Sequence, residues 1–179
     1  KAATASVKYT IQKANPVVTE RPTLSASVYV NSEATLTGGS GEGTFAFKAG
    51  TDKSWDSTGN KTTTVVFTPT DTNNYKELTR DYTVTVVKRT VKSCTTPTGI
   101  TDKPYGTALE ELGLPETVTI TTEDGKTFDK IPVTWSGYNP NTLEEQTLTG
   151  TLDLTSIANE VEQPDMPVTC LLYTSDAAD

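Results

Sequence analysis

The side chains in this protein that could do chemistry are few. There is no histidine. That removes the usual general base, a common metal ligand and every Ser-His or Cys-His nucleophile pair. Carboxylates occur as adjacent pairs, Glu110-Glu111 and Glu144-Glu145. A glycosidase needs two carboxylates facing each other across a cleft at a set separation. Neighbours on a turn or loop do not supply this, and solvated surface charge accounts for them. Asp71, Asn73 and Asn74 offer the oxygens that calcium loops use, but Asx turns use the same residues without metal. Asp52 and Asp56 flank Trp55 in a polar loop. Such a ring can stack on a sugar, or it can cover the end of a β-sandwich. Tyr138 is the other loop aromatic placed to touch a ligand. Residues 38–43, GGSGEG, lack the lysine and following helix of a phosphate loop and read as a hairpin connection. Two cysteines, Cys94 and Cys170, do not make a zinc site. These residues assign no catalytic, cofactor-binding or metal-ligating group; the expectation is a non-enzyme without cofactors.

The elements around these residues must come from an acidic, Thr-rich chain. Roughly one residue in five is Thr, a β-branched type suited to a pleated, half-wet surface. The 179 residues fit two domains of roughly 80–90 residues each. A net charge of −8 repels phosphate backbones, so nucleic acid is not an expected partner. No stretch approaches the ~20 apolar residues of a membrane helix, and no signal peptide is visible.

Periodicity predicts strands. Val7, Tyr9 and Ile11 alternate with Lys8, Thr10 and Gln12. Tyr82, Val84 and Val86 alternate with Thr83 and Thr85 in the same way. The match of VKYTIQKA to DYTVTVVKR suggests an internal repeat, with residues 1–14 the last strand of a preceding copy. Between them, Val28 with Val30, Phe45 with Phe47, and 63–68 including Phe67 mark further short strands. Turn signals separate them every 8–12 residues, as in a sandwich. Residues 92–98, KSCTTPT, read as a linker. Beyond it, Thr107 and Glu110 form a capping-box pattern ahead of a helical turn at 108–112, and Gly113 follows as a left-handed C-terminal residue. Asp124-Gly125 is a hairpin signal, with positive φ expected at both residues. Val118 with Ile120, then Ile131, Val133 and Trp135, then Leu148 with Leu152, share inward faces.

Two stretches carry resemblances. FTPTDTNNY, Phe67 to Tyr75, followed by the Thr/Val strand, is similar to the MBG-type Ig-like repeats of large bacterial surface proteins. Leu114, Pro115 and Val118, then Asp124-Gly125, then Ile131, Val133, Thr134 and Trp135, resemble bacterial Ig-like domains of the L-P-x-x-V, D-G, V-x-V-T-W type. The resemblances imply an all-β fold of two tandem Ig-like sandwiches, at 15–91 and 99–169. They place Tyr75 with its ring buried at a strand corner and Trp135 at the centre of the second sandwich. Phe45, Phe47, Phe67, Tyr82, Val84, Val118, Ile120, Ile131, Val133 and Leu148 are the remaining expected core.

The tail, 170–179, CLLYTSDAAD, has no clean inward face. With common codons it back-translates to what resembles a sequencing adaptor, so the chain is expected to be a metagenomic fragment cut inside its closing strand. Cysteine arithmetic follows: a Cys94–Cys170 bridge if the tail is native, one lone cysteine if it is not. The expected function is a spacer, stalk or adhesin module of a secreted, cell-wall-associated bacterial protein. Its partners would be neighbouring repeats and, through Trp55 or Tyr138, a glycan or another host or cell-surface ligand. The alternative is a glycan-binding accessory to a secreted carbohydrate-active enzyme. Calcium and a Lys–Asn isopeptide bond stay open.

Overall fold

Thr and Val in alternation favour an extended chain with one wet and one dry face, and strands dominate the computed structural model. The structure describes residues 6–101, 103–163 and, for the backbone alone, 168–172. The protein is all-β, with sheets in sandwich-like arrangements. It divides into two compact units, Lys1–Val87 and Lys88–Asp179.

The first unit holds β1 (Val18–Glu20), β2 (Thr23–Leu24), β3 (Ser27–Tyr29), β4 (Leu36–Thr37), β5 (Ser40–Gly41), β6 (Gly43–Phe47), β7 (Gly59–Pro69) and β8 (Leu78–Val87). Its main sheet has the order β3-β8-β7-β6, and β1-β5 and β2-β4 are two-stranded ribbons. The long β7/β8 ladder runs antiparallel from Gly59↔Val86 to Phe67↔Leu78, while β3 joins β8 in parallel. Inward positions fall every second residue: Thr63, Val65 and Phe67 on β7, Val84 and Val86 on β8, all buried. The Phe45 and Phe67 rings stack tilted at 4.8 Å. Glycines leave room for both rings: a Cβ on Gly39 would lie 2.8 Å from the Phe45 ring, and one on Gly43 would lie 2.7 Å from the Phe67 ring.

The second unit holds β9 (Val91–Cys94), β10 (Thr117–Thr122), β11 (Thr127–Ser136), β12 (Gln146–Leu152) and β13 (Val168–Leu172), with 3-10 turns at Leu109–Glu111 and Thr155–Ile157. Strand β11 serves two sheets. Its first half pairs with β10 (Thr121↔Thr127 to Thr117↔Pro132), and its second half pairs with β12 (Val133↔Leu152 to Ser136↔Thr149). The register shifts between Val118 and Ile120, and Lys130 opposite adopts φ 57°. A bulge of this kind bends a strand and lets it turn the corner of a sandwich. Between the layers lie Leu112, Val118, Ile120, Ile131, Val133, Trp135, Leu148, Leu152, Leu154 and Val161. Trp135 faces Gly150 across the ladder; a Cβ on Gly150 would come within 2.7 Å of Val133 and 3.0 Å of the Trp135 ring. The missing side chain makes room for the indole.

Several expectations change. Residues 7–11 form no strand, because alternation needs a neighbouring edge to pair with and none of the described residues provides one. Residues 92–94, expected in the linker, belong to β9 on the edge of β10, and the unit boundary lies at Val87/Lys88. Ser, Thr and Pro content reads as linker, but the open edge of β10 takes any extended backbone. The capping box is not made. Ala108 is the N-cap without a side-chain bond, and the Thr107 hydroxyl donates to the Pro104 carbonyl at 2.7 Å; a single 3-10 turn leaves few free donors to cap. At the hairpin only Gly125 is left-handed (φ 82°), since residues 123–126 form a four-residue loop. Strand β13 pairs with β12 through Leu148↔Cys170 to Gln146↔Leu172, past the end of the sequence alternation; backbone pairing does not require a dry face. Of the expected second domain and the tail, residues 164–167 and 173–179 lie outside the described residues.

Candidate functional site

A groove in the first unit encloses about 460 Å³ between Pro16, Val17, Thr19, Gly41, Glu42, Pro69, Asp71 and Tyr75. Pro69 ends β7, and the following corner is organised by Asp71. Its carboxylate accepts from the backbone N–H of Asn73 and of Asn74, each at 3.1 Å, and from the Asn74 side-chain amide at 2.7 Å. The Asn74 amide, then its backbone N–H, hold the Asp71 carboxyl below its ordinary pKa. These oxygens are turned toward their own turn, which is the Asx arrangement. Tyr75 does not bury its ring: it is 36% exposed. Its backbone is used instead, in a parallel bridge to Ala14. Ala14 N–H donates to the Asn74 carbonyl and Lys76 N–H to the Ala14 carbonyl, so the incoming chain occupies the corner where a buried ring would fold back.

In the second unit the most concentrated electrostatics surround Arg89, only 3% exposed. Its guanidinium donates to Asp124 at 3.0 Å and to Glu160 at 3.3 Å, and Lys126 adds a 2.7 Å bond to Glu160. Arg89 N–H donates to the Glu160 carbonyl, and Glu162 N–H donates to the Arg89 carbonyl. For Asp124, burial by itself raises the carboxyl pKa; the hydrogen bonds from the Thr122 hydroxyl and Arg89, with the Arg89 charge, outweigh it and the net shift is downward. Asp153 is also lowered, by the Thr155 hydroxyl and N–H. A general acid at neutral pH needs a raised carboxyl, and these three shifts run the other way. The cluster is a polar clasp that fixes the start of this unit to the 160–162 segment.

The expected ligand aromatics fall in different units. Trp55 is half-buried, and its backbone carbonyl accepts from Asn31 N–H at 2.8 Å. Tyr138 packs against the second core and its hydroxyl donates to the Thr107 carbonyl at 2.7 Å, so its polar end is already used. Asp52, Asp56, Glu110, Glu111, Glu144 and Glu145 are exposed. Among the described residues no group of three or more His, Cys, Asp or Glu could hold a metal. Cys94 is a free thiol, its pKa pushed up by burial. Phe67, Val84, Val118, Ile120, Ile131, Val133 and Leu148 are buried, as is Trp135, whose indole N–H donates to the Pro115 carbonyl at 2.8 Å. Phe45, Phe47 and Tyr82 are half-buried, with the Arg80 guanidinium 5.7 Å from the Tyr82 ring. No described helix is long and apolar enough to cross a membrane. Sequence reasoning missed Arg89, because a basic residue after a strand normally points to water; its acidic partners are 35 and 71 residues away. A scan against protein-family models finds no match for this chain, and a search of curated proteins finds none either.

Proposed function

We propose that the chain is a pair of non-catalytic structural modules, serving as spacer or stalk in a secreted or cell-surface bacterial repeat protein. The observation that carries this reading is where the side chains are spent. Each unit fills its interior with branched and aromatic groups. Its best-organised polar clusters, the Asp71 turn and the Arg89 clasp, close on protein partners. The Ig-like resemblances of both halves support it, as does an acidic surface suited to a solvated extracellular rod. Load along such a chain is borne by strand ladders and small cores. Stretching single molecules tests this: two separate unfolding steps are expected, each releasing roughly 25–30 nm at about 3.5 Å per residue. One step covering the whole chain would sink the two-module spacer. The glycan-accessory reading keeps one residue, Trp55, whose ring is only half-covered. A glycan array on the protein and on Trp55→Ala separates the readings, since binding lost in the variant favours the accessory role.

A further inference from the structure

We propose that residues 7–12 are a donor strand that closes the sheet of another sandwich of the first unit's kind, the module preceding this one in the repeat. This rests on the tandem-module reading above and names the partner of the N-terminal segment. Val7, Tyr9 and Ile11 are 85%, 82% and 84% exposed, and residues 6–13 form no strand. Three large apolar side chains on one edge of an extended, unpaired segment form a template for strand addition.

The chain itself shows what covers such a pattern. Val7, Tyr9 and Ile11 repeat the spacing of Tyr82, Val84 and Val86 on β8, with Lys13 falling where Lys88 follows the strand. On β8 that face is dry: Val84 and Val86 are buried, with β7 antiparallel on one side and β3 parallel on the other. The N-terminal segment thus has the face of β8 without its two neighbours. Its downstream end is already tied down, by the Ala14–Tyr75 bridge and a 2.6 Å bond from Lys13 Nζ to the Thr72 carbonyl. A strand there would run from the end of one sandwich to the β7/β8 corner of the next.

The test is a longer chain in which a copy of residues 13–81 is placed ahead of Val7, so that Asp81 runs into Val7 and the segment takes the place of β8. A second version carries Tyr9→Val, because Tyr9 falls where β8 has the smaller Val84. Hydrogen exchange of residues 8–12 should slow at least ~100-fold in one or both versions, and the added copy should resist protease. Adding Val7→Lys with Ile11→Lys should abolish both effects. The proposal is overturned if residues 8–12 exchange at free-chain rates in both versions while β7/β8 and β11/β12 stay protected; the module reading then survives alone. If the two original units lose separate protection in the unextended chain, the module reading itself fails. If the unextended chain dimerises and protects 7–12, the acceptor is a second copy, which also overturns the proposal.

Discussion

The two units solve the same problem with different means. The first relies on one long regular ladder, β7 with β8, and fills its interior with a tilted Phe45–Phe67 pair fitted against glycines. The second has no ladder of that length. It bends β11 at a bulge, seats Trp135 over Gly150, and draws Leu112, Leu154 and Val161 in from turns and loops. It also carries a buried cation, Arg89, held by two carboxylates, where the first unit buries an unpartnered hydroxyl, Thr63 Oγ1. A regular ladder can tolerate a small polar flaw. A core closed by loops depends on a few large or charged contacts whose loss is felt at once.

That contrast can be broken most sharply at Trp135. Trp135→Ala should destabilise the second unit by about 3–5 kcal/mol through cavity formation and an orphaned Pro115 carbonyl. Limited proteolysis should then digest 88–163 first and leave the first unit intact; equal loss of both would erase the distinction. Arg89→Ala should cost the second unit about 2–3 kcal/mol, below the full buried-pair value because Asp124 and Glu160 keep some water. The clasp also sets a pH dependence. The folded pKa of Asp124 is depressed, so its contribution is present above the unfolded value of about 3.9 and is lost as pH falls through the lower folded value. Melting of the second unit between pH 5 and 2 should therefore drop more steeply in the parent protein than in Asp124→Asn. Gly150→Ala should cost about 1–3 kcal/mol by pushing a methyl into Val133 and the indole, with tryptophan fluorescence reporting the displaced ring. Smallest, and opposite in sign, Thr63→Val should stabilise the first unit by about 1 kcal/mol of relieved desolvation, read as a higher melting temperature.

Strand positions were readable wherever one face is dry. The inward series Val84–Val86, Val118–Ile120 and Ile131–Val133–Trp135 follows from alternation alone, because a pleated strand sends every second side chain to the same side. At 7–11 alternation meets no partner strand among the described residues, since it reports what a strand would bury and not whether a neighbour is there to bury it. Composition failed at 92–94, where Ser and Cys read as linker but the edge of β10 selects by backbone. The candidate site was legible only in part. Asp71, Asn73 and Asn74 announce a turn by type and spacing, whereas nothing local to Arg89 distinguishes it from a surface cation.

The sequence by itself determined the all-β class, the acidic surface and the absence of any imidazole, because residue type and period two need no knowledge of distant partners. Tertiary structure alone decided which charge is buried, which strand turns the corner and which tyrosine stays wet. Each depends on groups tens of residues apart in the chain, and their encounter is fixed only when the sheets close.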